Sequence, residues 1–76
     1  MELTQLKYFC EVAESQHVTR SAQKLHIAQP ALSQTIHRLE GELGVKLFVN
    51  KGRGIVLTQC GRRLHDRVRP LLETLE

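Results

Sequence analysis

Seventy-six residues carrying a net charge of +3 make one small domain, and a chain of this size buries too little surface for a deep core of its own. Two cysteines, Cys10 and Cys60, set no disulfide framework or C-x-x-C pair, and no apolar run approaches the ~20 residues that cross a bilayer. With no basic start and apolar leader after Met1, the expectation is a cytoplasmic protein with reduced thiols and no membrane partner.

The charge is unevenly spread. Residues 1–16 are acidic on balance, residues 17–39 hold Arg20, Lys24 and Arg38 with no acid, and residues 45–72 hold seven Lys/Arg against Asp66. An ordinary solvated surface produces such runs too, but the asymmetry suits a face that meets a polyanion.

Leu6, Phe9, Cys10 and Ala13 recur at i, i+3, i+4, i+7 opposite Glu11 and Glu14, which predicts an amphipathic first helix from Thr4 to about Ser15, capped by Thr4 or a neighbour. Gln16-His17-Val18 breaks it. Thr19 is the expected N-cap of a second helix of about two turns, with Ala22 and Leu25 inward. After the turn His26-Ile27-Ala28-Gln29, Pro30 opens a third helix where its missing N–H costs nothing. Leu32, Ile36, Leu39 and Leu43, spaced 4, 3, 4, form its buried stripe, and Gly41 and Gly44 bracket its end.

Two β-prone runs follow, Lys46–Val49 and Gly54–Leu57, separated by the turn residues Asn50-Lys51-Gly52-Arg53. Thr58 then caps a last helix. Along it Leu57, Gly61, Leu64, Val68, Leu71 and Leu75 are spaced 4, 3, 4, 3, 4, a heptad seam. A helix of about 18 residues would reach about 27 Å, long for so small a domain. Its apolar edge, Leu64, Val68, Leu71 and Leu75, fits the same helix of a second copy, or alternatively the chain's own core. Pro70 is expected to kink it. The pattern is expected to run on past the last residue.

The expected fold is mainly α. A winged helix-turn-helix of three helices and a two-stranded β-wing fills residues 1–58, with the helix-turn-helix at about 18–37 and the wing at about 46–57. Residues 59–76 begin a long linker and dimerisation helix. In a helix-turn-helix, Ala22 is the close-contact position, and the second helix enters the major groove with its first residues on base edges. Those residues are Gln29, Pro30, Ala31, Ser33 and Gln34, with Arg38 further along. Each alone reads as plain helix surface; together, in a segment free of acid, they read as a nucleic-acid contact. Arg53, between two glycines at the wing tip, suits a narrow minor groove, and Lys51 suits a phosphate. A hairpin tip contacting nothing is the plainer alternative.

The four histidines lack ligand spacing, so no metal is expected. Cys60, near Arg62 and Arg63, is open to a redox reading or to a packing one. No Ser/His/Asp cluster or phosphate loop suggests an enzyme. A protein-interaction module using the heptad helix is the stronger rival.

Three stretches carry a family resemblance. Ala22-Gln23-Lys24-Leu25-His26-Ile27-Ala28-Gln29-Pro30-Ala31-Leu32-Ser33-Gln34 resembles the helix-turn-helix of LysR-type transcriptional regulators. Leu39-Glu40-Gly41-Glu42-Leu43-Gly44-Val45-Lys46-Leu47-Phe48 and Leu57-Thr58-Gln59-Cys60-Gly61 resemble that family's next two signatures, in order, so the likeness spans nearly the whole chain. It implies sequence-specific binding to a dyad-symmetric double-stranded DNA operator. It also implies a homodimer that can assemble further into a tetramer at full length. No cofactor is implied for this domain; a small-molecule effector is implied for a C-terminal domain absent from this chain. The resemblance puts bases and phosphates against Gln29, Pro30, Ala31, Ser33 and Gln34, and the minor groove against Arg53. Departures stand at Ala28, where a capping Ser or Thr is usual, at Thr35, at Val49-Asn50 and at Cys60.

Overall fold

The computed structural model describes residues 1–75, which form α1 (Leu3–Ser15), α2 (Val18–Leu25), α3 (Gln29–Leu43), β1 (Phe48–Lys51), β2 (Gly54–Leu57) and α4 (Gln59–Leu75). This is the expected order of three helices, hairpin and long helix. The core lies where α1 meets α2, α3 and α4: Phe9, Cys10, Val12, Ala22, Leu32, Ile36, Leu39, Leu47, Val68 and Leu72 are all buried. Phe9 also meets Phe48 of β1, with ring centroids 5.5 Å apart.

Helix ends differ in detail from the periodic reading. α1 starts after Glu2, whose N–H donates to Gln5 Oε1 at 2.9 Å, so the side chain three residues in does the capping. α2 begins at Val18, and the cap is His17 rather than Thr19: Nδ1 of His17 accepts the Arg20 N–H at 3.2 Å. The shift follows from Gln16, which ends α1 in the left-handed region (φ 59°) and turns the chain within one residue. His26 ends α2 in the same way, and Ile27 N–H donates back to Ala22 O. α3 starts one residue before Pro30, still inside the first turn where no intrahelical donor is needed.

β2 is the expected Gly54–Leu57, but β1 sits two residues later than the β-prone run Lys46–Val49. Lys46 and Leu47 pair with no strand, because other partners hold them. Leu47 N–H donates to Glu40 Oε2 at 2.7 Å, Leu47 O accepts from Thr58 N–H at 2.9 Å, and Lys46 O accepts from Thr58 Oγ1 at 2.7 Å. Antiparallel pairing starts at Phe48↔Leu57 and ends at Lys51↔Gly54, leaving the two-residue turn Gly52-Arg53 with Gly52 at φ 61°.

Two close approaches lock the wing down. Ile55 N–H donates to Gln16 O at 3.2 Å, and a Cβ on Gly54 would stand 2.7 Å from that oxygen. Gly61 lies so close under Leu47 O that no side chain fits there. Thr58 Oγ1 accepts the Gly61 N–H at 3.0 Å, capping α4 as expected. α4 continues through Pro70 to Leu75 without a break in the helix.

Candidate nucleic-acid interface

The first turns of α3 project outward. Gln29, Pro30, Ala31, Gln34 and Arg38 are exposed, and Ser33 is half-buried at the edge of a cleft of about 500 Å³. That cleft separates α3 from the wing: Ser33, Ile36 and His37 line one side, and Phe48, Val49 and Asn50 the other. The amphipathic stripe explains the orientation, since Leu32, Ile36 and Leu39 turn into the core and carry the intervening residues out. Ala22, 2% exposed, sits between the two helices of the helix-turn-helix as its size demands. Lys51 and Arg53 flank Gly52 at the exposed wing tip. The structure therefore places Gln29, Pro30, Ala31, Ser33 and Gln34 at the start of α3, Arg38 further along the same helix, and Lys51 and Arg53 at the tip of the hairpin.

The N-cap of α3 is Ala28, which offers no side-chain acceptor; Pro30 carries no N–H and the Ala31 N–H donates to Ala28 O at 3.1 Å, so the backbone itself closes most of the first turn. Gln29 Nε2 donates to Ser33 Oγ at 3.0 Å, while Thr35 Oγ1 turns back to Ala31 O at 2.9 Å.

Several acidic groups are paired within the domain. Glu11 pairs with Lys24 at 3.0 Å, and Glu14 accepts from His65 Nε2 at 2.9 Å and forms an ion pair with Arg69 Nε at 3.2 Å across the α1–α4 contact. Glu42 binds the Met1 ammonium at 2.8 Å and Gln5 Nε2 at 3.1 Å. The ammonium's hydrogen bond, then that of Gln5, holds the Glu42 carboxyl below the usual carboxylate range. Among the described residues, no carboxylate lies in ion-pair contact with Arg38, Lys51 or Arg53.

Sequence reasoning passed over Glu40. It is 8% exposed, and its Oε2 receives the N–H groups of both Leu47 and Phe48, fixing the start of the wing to α3. The one available signal was an acid directly beside Leu39 on the buried stripe. Gln16, which carries the carbonyl that seats β2, gave no signal at all.

The heptad residues of α4 divide. Gly61 and Val68 are buried in the chain's own core, Leu64 packs against that core, and Leu72 joins them although it lies off the heptad register. Leu71 and Leu75 remain 64% and 68% exposed. Cys60 is exposed on the first turn of α4. Cys10 is buried against α4, and that burial, helped by the Glu14 charge and opposed by Arg69, pushes its thiol up to about 11.

A helix-turn-helix with a hairpin wing and a basic outward edge defines the class of winged helix-turn-helix domains. Residues 3–62 match the family described as bacterial regulatory helix-turn-helix protein, lysR family, and the chain belongs to that family. It is 49% identical over 73 residues, 96% of its length, to an uncharacterized HTH-type transcriptional regulator, YybE, of Bacillus subtilis, of which it covers 25%. It is 43% identical over all 76 residues to the HTH-type transcriptional regulator TfdT of Cupriavidus pinatubonensis, covering 33% of that protein. The chain thus spans a quarter to a third of these relatives. Among solved structures, the DNA-binding domain of BenM in complex with the catB site 1 DNA superposes with a TM-score of 0.94 at 41% identity, over 99% of this chain and 83% of that one. The match is to transcription regulators, not to enzymes.

Proposed function

We infer that this chain is the operator-reading part of a LysR-type transcription regulator. α3 enters the major groove, with Gln29, Pro30, Ala31 and Gln34 toward base edges, Ser33 beside them at the edge of the cleft, and Arg38 toward a phosphate. The wing carries Arg53 into the adjoining minor groove with Lys51 on the backbone. The observation that carries this reading is the pairing of an outward, polar helix start with a wing tip whose cations, among the described residues, have no carboxylate partner. The DNA-bound state of the BenM domain, a close structural match, supports it.

Residues 1–58 form the reading unit and residues 59–76 begin the linker helix. Leu71 and Leu75, the exposed part of the heptad edge, contact a second copy, with Leu64 beside them and Val68 buttressing the helix from within. Two copies then address two half-sites of a dyad. Further chain beyond this domain binds a small effector, and the protein acts in the cytoplasm.

The test is a fluorescence titration of the 76-residue chain with a pool of randomised duplexes at two salt concentrations, followed by sequencing of the bound fraction. Enrichment of one dyad-symmetric site with affinity falling steeply in salt is expected. Binding that survives high salt without sequence preference would refute base reading. Absence of binding at low salt would turn attention to α4 as a protein contact.

A further inference from the structure

Gln29 and Ser33 are joined on the outward face of α3. Gln29 is the first residue of α3 and Ser33 stands one turn on, so their side chains lie above one another on the same face. A glutamine at a helix start has three rotatable bonds and an amide whose two ends look alike in shape. Left free, it would present either a donor or an acceptor to a base edge and would lose its rotamer freedom only on binding.

Here Nε2 donates to Ser33 Oγ at 3.0 Å. That bond ties the nitrogen end of the amide to the helix. A primary amide has two N–H groups, one on the carbonyl side and one opposite. With the opposite one directed to Ser33, the carbonyl oxygen and the remaining N–H are left side by side as a free edge. That edge matches adenine in the major groove, where N6–H₂ donates and N7 accepts, and it mismatches guanine, which offers two acceptors. Ser33 is suited to hold it. The neighbouring hydroxyl on this helix, Thr35, is already spent on Ala31 O, and among the described residues the Ser33 hydroxyl has no hydrogen-bond partner other than Gln29. Ser33 is also half-buried at the cleft beside Ile36 and His37, which limits its own reach to a base.

We propose that Ser33 is a positioning residue: it fixes the Gln29 amide so that α3 selects adenine over guanine at one base pair of each half-site. This rests on the reading of α3 as the major-groove helix.

The experiment is selection from a randomised duplex pool with the wild-type chain, Gln29→Ala, Ser33→Ala and Ser33→Thr, scoring base preference position by position. Thermal melting of each variant is recorded alongside, and equal melting shows that lost preference is not lost folding. Gln29→Ala should erase an adenine preference at one position. Ser33→Ala should lower the adenine-over-guanine preference at that same position by about fivefold, and Ser33→Thr, which keeps the hydroxyl, should restore it. Retention of full preference in Ser33→Ala overturns the positioning role. So does a change at a different base pair, which would make Ser33 a direct reader. Failure of the wild-type chain itself to enrich any site overturns the underlying major-groove reading, and is distinguished because every variant then behaves alike.

Discussion

Replacing Glu40 tests how the wing is held. Its carboxylate accepts the Leu47 N–H at 2.7 Å and the Phe48 N–H at 3.3 Å, at a site 8% exposed to solvent. Hydrogen bonds to a charged acceptor contribute about 1.5–3 kcal/mol each, and the longer of the two falls below that range. In Glu40→Ala both donors lose their partner while still shielded from water, so the domain should lose about 2–4 kcal/mol. For a domain of this length that corresponds to a fall in Tm of about 10–25 °C. Glu40→Gln keeps a neutral carbonyl able to serve Leu47 and should lose about 1–2 kcal/mol. Urea unfolding followed by circular dichroism reads both, and an unchanged slope shows that the midpoint shift is a stability change. Glu40→Ala within about 0.5 kcal/mol of the parent would refute the reasoning, as would equal losses in the two variants.

Other expectations rest on separate contacts. Gly61→Ala forces a methyl into Leu47 O and should destabilise by about 2 kcal/mol or more in the same unfolding assay. Arg53→Ala should weaken binding to a selected duplex by about 1–3 kcal/mol with folding unchanged, and unaltered affinity would remove the minor-groove role. Ellman's reagent should titrate Cys60 quickly in the native chain and Cys10 only after unfolding, since Cys10 is buried and its thiol stays protonated at neutral pH. Because the folded state keeps the Cys10 proton up to about 11 while the unfolded thiol releases it near 9.0, stability should fall between those pH values. That slope should be shallower in Cys10→Ala.

Local chemistry made much of this domain legible. Ala22, Pro30, Gly44, Gly52 and Thr58 act through their immediate neighbours, and each does in the structure what its type suggests. The outward face of α3 followed from the Leu32–Ile36–Leu39 stripe, because burying one face of a helix exposes the other. Distant partners hid the rest. Lys46 and Leu47 look like strand residues, but Glu40 and Thr58 claim their backbone groups. His17 takes the cap expected of Thr19 because Gln16 turns the chain early. In α4 a leucine pair at 71 and 72 satisfies two registers, and only the position of α1 decides that Leu72 goes in and Leu71 stays out.

The carbonyl of Gln16 joins parts of the molecule that a DNA duplex would meet separately. It belongs to the bend leading into α2, yet it holds Ile55 of the hairpin and leaves no room for a side chain at Gly54. The helix pair and the hairpin are therefore set like the jaws of a caliper fixed at one opening. Such an instrument does not adjust to its object. A duplex engaged by both jaws has to bring its adjoining grooves to that span, and sequences that bend or narrow at little cost would be favoured even at base pairs no side chain touches.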